Sequence, residues 1–219
     1  MIKKFLKKFR PFRLLAYQFR PQYKEYHVFN FLNKKSVFID MGANIGEISN
    51  YVGDRCLSKV FSYEPHPGAY KFLKKRFKNF NNIKVFNCAI SNKSSEQYYY
   101  FSKSSPNERD LTYSEAGSLE SKKSNITIEK KIKVKCLHVK EILDQFKFID
   151  CIKIDIECHE YKILPYIFKN RKKIKKVVCE LHGNQSIKRA NIHFFKKYKA
   201  TKRYLKKNNL LDNWFIEWN

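Results

Sequence analysis

The chain has little glycine and little proline, six of each in 219 residues. That scarcity excludes a collagen-like repeat and a loop-dominated, low-complexity protein. No apolar run approaches the roughly 18 residues that crossing a bilayer requires. Acidic residues are also few: 20 Asp and Glu stand against 46 Lys and Arg, for a formal net charge of +26. Cysteines stand at 56, 88, 136, 151, 158 and 179, but never as a Cys-x-x-Cys pair, and no histidine lies at zinc-finger spacing from such a pair. This pattern suits buried thiols in a reducing compartment rather than disulfides or a metal centre, so no metal ligand set is expected. The start of the chain is basic, but Arg10, Pro11 and Arg13 interrupt any apolar core of a secretory signal, and a cytoplasmic protein is expected.

What is present can build a core. Hydrophobic residues make up 43% and aromatics 16%, which excludes a disordered chain despite the charge. The length suits one sizeable domain, and no internal repeat divides it. The charge alone points toward nucleic acid or an anionic membrane. However, 37 of the basic residues are Lys and only 9 are Arg, whereas reading phosphates and base edges leans on the planar fork of Arg. The excess is also uneven: +8 over residues 1–24, +5 over 25–161, +15 over 162–208 and −2 over 209–219. The chain therefore reads as a basic N-terminal arm, 1–24, before a domain over 25–219. The arm interleaves Ile2, Phe5, Leu6, Phe9, Phe12, Leu14 and Leu15 with Lys and Arg. Such a segment either rests on an anionic membrane surface or packs on the domain as a helix.

Short β-rich runs alternate with helical stretches. Strands are expected at 36–40, 59–64, 83–86, 126–136, 150–156 and 177–182, an edge strand at 97–101, and a last strand at 214–218. Helices are expected at 47–52, 69–77, 140–146, 160–168, 191–199 and 201–208. Residues 102–125 form a long Ser-, Lys- and Asn-rich loop, of a length that is usually functional or mobile. Strand and helix in alternation predict an α/β fold: a doubly wound, Rossmann-like, mostly parallel sheet covered on both faces as a three-layer sandwich. Ligands in such folds bind beyond the carboxyl ends of the strands.

The residues just after the strands carry the chemistry. Asp40-Met41-Gly42-Ala43-Asn44-Ile45-Gly46 holds two of the six glycines. Glycine there permits a sharp strand-to-helix turn and close approach of a ligand. The pattern is not G-x-G-x-x-G, since Asn44 stands at its second glycine, and no Lys-Ser/Thr pair makes it a P-loop. Glu64 closes the second strand, where an acid can accept hydrogen bonds from a ribose diol. Together the turn and the acid point to an adenosine-type ligand.

These residues resemble motif I of the class I S-adenosylmethionine-dependent methyltransferases, and most closely the FkbM family, with its Asp-x-Gly-Ala-Asn-x-Gly. Tyr63-Glu64-Pro65, Asn87-Cys88-Ala89-Ile90-Ser91 and Cys179-Glu180-Leu181-His182 resemble later segments of that family. Ile149-Asp150-Cys151-Ile152-Lys153-Ile154-Asp155-Ile156-Glu157-Cys158-His159-Glu160 resembles its most distinctive block. The resemblance implies S-adenosylmethionine as cofactor, held by Asp40, Gly42, Ala43, Asn44, Gly46, Glu64, Asn87, Ala89, Ile90 and Asp155. Asp40 would lie near the amino group, Glu64 at the ribose, Asn87, Ala89 and Ile90 at the adenine, and Asp155 beside the sulfonium. Ser118-Leu119 loosely resembles a pair that some members carry near the cofactor. The family's glycine after Val-Glu is Cys158 here, which a positive φ would strain.

The implied reaction is methyl transfer to a hydroxyl of a sugar, glycan or small metabolite, of the kind used in polysaccharide biosynthesis. Asp155, Glu157 and Glu160 are the catalytic candidates for removing the hydroxyl proton. Glu160 equally suits an acid that complements a helix N-terminus. His159 is a further candidate base, with a solvated helix position favoured for it; His182 is expected at the surface or on the acceptor pocket, and Lys153 on the opposite side of its strand from Asp155. An RNA methyltransferase is the first alternative, but the Asn/Asp-Pro-Pro-Tyr/Phe motif and a pyrimidine-directed catalytic Cys motif are lacking. A non-enzymatic basic module at a membrane surface is the second. The partners expected are a hydroxyl-bearing acceptor and, through residues 1–24, an anionic inner membrane surface; nucleic acid is not the favoured partner.

Overall fold

The computed structural model describes residues 10–19, 25–107, 110–111, 113–182 and 214–218. Its strands are β1 (Val37–Met41), β2 (Lys59–Tyr63), β3 (Ile83–Phe86), β4 (Ala89–Ser91), β5 (Ser95–Ser102), β6 (Ile126–His138), β7 (Cys151–Ile154), β8 (Val177–Leu181) and β9 (Trp214–Trp218). Its helices are α1 (Arg10–Phe19), α2 (Glu47–Arg55), α3 (Pro67–Arg76), α4 (Val139–Leu143) and α5 (Glu160–Lys169). The helices expected at 191–199 and 201–208 lie outside the described residues.

The main sheet runs β3-β2-β1-β7-β8-β9. Its first five strands are parallel, and β9 closes it antiparallel to β8. The chain leaves β1 toward β2 and β3, then returns to the other side of β1 as β7. The carboxyl ends of β1 and β7 therefore flank a topological switch point, where the crevice of such folds opens.

Strand alternation builds the three layers. Ile39, Met41, Ile152, Ile154, Val177 and Cys179 turn to one face, where they pack with Ile142 and Leu143 of α4 and Ile163, Leu164 and Ile167 of α5. Phe38, Val60, Cys151 and Val178 turn to the other face, against Tyr51 and Val52 of α2 and Leu73 of α3. Strands buried on both faces explain the near-continuous apolar runs in the sequence.

Two features were not expected. β4, β6 and β5 form a separate three-stranded sheet in that order, with Tyr99, Phe101, Val134 and Cys136 on its inner face. β5 is an edge strand, as its three tyrosines suggested, but of this second sheet. The long loop also has structure: a turn at Ser114–Ala116 and a bridge between Tyr100 and Ser118.

The described part of the basic arm packs on the domain. Tyr17 of α1 enters the core beside Tyr51. The Arg13 guanidinium grips the buried Asp54 carboxylate through two 2.8 Å bonds, and Arg10 donates to the Asp54 carbonyl at 3.0 and 3.2 Å. No described helix is long and apolar enough to cross a membrane. All six cysteines are free; five are buried and Cys158 is half-buried.

Candidate active site

A cavity of about 250 Å³ opens at the switch point. Asp40, Gly42, Ala43, Asn44, Gly46, Glu64, Ala89, Ile90, Asp155 and Glu157 all line it. Asn87 and Glu160 do not. The Asn87 amide donates to the carbonyls of Glu64 (3.0 Å) and Pro65 (3.3 Å), and so holds the turn after β2. Glu160 is fully buried at the start of α5, and its Oε1 accepts from the Ile156 N–H at 3.1 Å. It braces the turn before its own helix, in keeping with the helix-terminus reading.

The turn after β1 is built on backbone geometry that most residues avoid. Gly42 has φ +79°, and a Cβ there would lie 1.8 Å from the Asp155 carbonyl oxygen. Asn44 follows at φ +46°. Its N–H donates to Glu64 Oε2 at 2.7 Å, and the His66 N–H donates to Glu64 Oε1 at 2.7 Å. The Glu64 carboxylate is thus fixed by two backbone donors. Burial pushes its pKa up to about 7, against the pull of those two N–H groups.

Asp40 is fully buried. Its Oδ2 accepts from Ser49 at 2.6 Å, while its Oδ1 has no hydrogen-bond partner. Burial raises its pKa, and Lys153 and Ser49 only partly offset this. Lys153 corrects an expectation. It does not point away from Asp155, because residues two apart on a strand share a face. Register sets Lys153 directly beside Asp40. Its ammonium donates to the Gly42 carbonyl at 2.6 Å and lies 3.4 Å from Asp40 Oδ1 and 3.3 Å from Asp155 Oδ2. Burial disfavours this charge, but Asp155 and Asp40 outweigh it and hold the pKa above the ordinary lysine value.

The turn after β7 is equally unusual. Glu157 has φ +58° and Cys158 φ +78°. The position where the family block carries glycine therefore does need a left-handed backbone, and cysteine occupies it at a cost of about 1–2 kcal/mol. Cys158→Gly is expected to relieve that strain. Allowing for the extra freedom that glycine gives the unfolded chain, the gain is about 1 kcal/mol, or roughly 2–4 °C in a thermal melt. An unchanged or lowered melting temperature would contradict this reading of the turn.

His159 also departs from expectation. It is buried, not solvated, and it lines the cavity. Its Nδ1 pairs with Glu120 at 2.6 Å and its Nε2 with Ser91 at 3.0 Å. The long loop brings Glu120 there, and the same loop ties the two turns together. Ser114 donates to the Asn44 side chain at 2.7 Å, Ser118 donates to the Glu157 carbonyl, and Lys123 pairs with the Glu157 carboxylate. Ser118 and Leu119 both line the cavity. Burial works to raise the pKa of Glu157, beyond what His182 and Lys123 offset.

His182 is half-buried and is not on the cavity lining. It stands behind Asp155 and Glu157, with Nδ1 3.1 Å from Glu160 and Nε2 3.5, 3.6 and 3.9 Å from Glu180, Glu157 and Asp155. Burial works against its positive charge, but Glu160 and Glu180 hold its pKa up to about 10. Lys153, Ser114, Lys123 and Glu120 were missed as parts of the site. Alternation along β7 could have placed Lys153; nothing in the residue types of the loop marked the other three.

The fold is that of the Rossmann-like class I methyltransferases. It is shared with SMU.1697c of Streptococcus mutans, a methyltransferase candidate solved with S-adenosylhomocysteine (TM-score 0.53, 11% identity, 90% of this chain and 96% of that chain covered). Precorrin-6y C5,15-methyltransferase of Geobacter metallireducens (TM-score 0.48, 13% identity, 89% and 86%) and an rRNA methylase of Streptococcus thermophilus (0.49, 11%, 90% and 94%) are also similar. No curated protein matches the chain. The FkbM methyltransferase domain model matches residues 40–208, and the chain belongs to that family.

Proposed function

We propose that the chain is an S-adenosylmethionine-dependent O-methyltransferase acting on a hydroxyl of a sugar, glycan or small metabolite. One observation carries the reading: among the described residues, the cavity is lined by carboxylates and by no free cation to meet a phosphate. Lys153 and His159 are its basic lining residues, and both are committed to neighbours.

The residues fit the cofactor by type. Asp40 offers a buried carboxylate whose Oδ1 has the Lys153 ammonium 3.4 Å away and no hydrogen bond, and which suits a further ammonium. Glu64 offers a fixed carboxylate, suited to two vicinal hydroxyls. Tyr63, Cys88, Ala89 and Ile90 provide an apolar wall for a purine. The bound cofactor supplies the electrophilic methyl group, so the protein's work is alignment and removal of a proton. Asp155 and Glu157 face the cavity from the turn after β7 and are the candidate bases. The basic arm supports a membrane-surface acceptor less than its composition suggests, since Arg10 and Arg13 are turned to Asp54.

Calorimetric titration with S-adenosylhomocysteine across pH 5.5–8.5 tests the reading. The folded Glu64 carboxyl titrates near 7, above its ordinary 4.5. Keeping it ionised therefore costs the empty fold stability as pH rises from 4.5 through 7, and hydroxyl donors from a ligand offset that cost. Affinity should fall below pH 7 by up to about tenfold per unit, and Glu64→Gln should flatten the profile. Absence of binding at every pH would overturn the proposal.

A further inference from the structure

We infer that the chain holds a divalent cation between Asp155, Glu157 and His182, at the edge of the cavity. One ligand atom from each of these residues lies within 4.8 Å of the others. The two carboxylates are arranged alike. Asp155 has Oδ2 toward Lys153, 3.3 Å away, and Oδ1 toward His182 Nε2, 3.9 Å away. Glu157 has Oε2 on Lys123 and Oε1 toward the same nitrogen at 3.6 Å. One oxygen of each is thus tied to a lysine, and the other converges on the imidazole.

The imidazole is set up from behind. Its Nδ1 lies 3.1 Å from Glu160 Oε1. Glu160 is fully buried, and its Oε2 has no hydrogen-bond partner. A carboxylate on one ring nitrogen fixes the tautomer that presents the other nitrogen's lone pair as a ligand. Without a cation Nε2 keeps its proton among Asp155, Glu157 and Glu180, 3.9, 3.6 and 3.5 Å away, and a cation would take that proton's place. Either a proton or a cation must sit there. A cation is favoured by the gathering of oxygens: bonds of about 2.0–2.2 Å to carboxylate and imidazole ligands fit a cluster only slightly wider than the coordination sphere.

Two carboxylates and one imidazole form a mixed oxygen–nitrogen set suited to Mn²⁺ or Zn²⁺ more than to a thiolate-bound metal. The cation would leave positions open toward the cavity. A hydroxyl bound there loses its proton at lower pH, which supplies the acceptor oxygen in reactive form. That role rests on the methyltransferase reading; the binding site does not.

Titration of the full chain with Mn²⁺ alone, followed by the electron paramagnetic resonance signal of the free ion, tests the inference. One saturable equivalent per chain is expected. His182→Ala and Glu157→Gln should each weaken binding at least tenfold, and Glu160→Gln, which removes the charge behind the imidazole but keeps an oxygen for the Ile156 N–H, roughly 10–100-fold. Zn²⁺ should displace the bound Mn²⁺. Each variant is checked for fold by its binding of S-adenosylhomocysteine. Lack of saturable Mn²⁺ binding in a wild-type chain that binds S-adenosylhomocysteine overturns the cation site and leaves the methyltransferase reading standing. Equal Mn²⁺ binding by wild type, His182→Ala and Glu157→Gln overturns it as well.

Discussion

Gly42→Ala is expected to abolish S-adenosylhomocysteine binding and to destabilise the fold by about 2–5 kcal/mol. Two costs add. Alanine at φ +79° pays about 1–2 kcal/mol for the left-handed backbone. Its Cβ would also stand 1.8 Å from the Asp155 carbonyl oxygen, so β1 and β7 must separate, an overpacking cost of about 1–3 kcal/mol. The separation happens at the site. The Gly42 carbonyl accepts from Lys153, whose ammonium also spans Asp40 and Asp155, so moving Gly42 displaces both carboxylates. Gly53→Ala is the informative contrast. Its Cβ would meet the flexible side chains of Ile83 and Asn82, neither of which lines the cavity, so that variant should lose some stability and keep ligand binding. Thermal melts and calorimetry on both variants decide the matter. A Gly42→Ala protein that melts within a degree of wild type and binds normally would refute this account of the turn.

Much of the fold was legible because its signals are local. Apolar runs of four or five residues between polar turns mark strands buried on both faces, and each parallel strand of the main sheet lies where such a run stands. The turn after β1 was legible for the same reason: two glycines so close together, in a chain that has six, mark backbone that other residues cannot follow. The second sheet was not legible, since nothing in Ile126–His138 says whether it extends the main sheet or pairs apart with Ser95–Ser102. The site divides in the same way. Asp40, Glu64 and Asp155 sit at strand ends, where the fold class predicts ligand contacts. His159 was misread because its partner Glu120 comes from the long loop, whereas Lys153 was legible from alternation along β7, which sets it on the same face as Asp155. His182 was legible as a residue but not as a meeting point, because three of the four carboxylates around it come from residues 155–160, across the sheet from its own strand end.

Asp155→Asn should separate the two charge states of the cofactor. Asp155 is half-buried on the cavity wall, with Oδ2 3.3 Å from the Lys153 ammonium and Oδ1 3.9 Å from His182 Nε2. S-adenosylmethionine carries a positive sulfonium, whereas S-adenosylhomocysteine carries a neutral thioether. A carboxylate that stabilises the sulfonium therefore helps one ligand and not the other. Removing its charge should weaken S-adenosylmethionine by about 1–3 kcal/mol, or roughly 5–150-fold. S-adenosylhomocysteine should change by only a few-fold, the residue of a small shift in Lys153. Lys153 itself stays charged in the variant, because Asp40 still stands 3.4 Å from it, so the site is not expected to collapse. The comparison needs no methyl acceptor, and two calorimetric titrations per protein suffice. Once an acceptor is in hand, the turnover of Asp155→Asn should fall at least about 100-fold if the same carboxylate also takes the hydroxyl proton. A smaller fall with the affinity ratio changed would assign proton removal to Glu157 and leave Asp155 as the partner of the sulfonium. Equal weakening of both ligands would show that Asp155 shapes the cavity without meeting the charge.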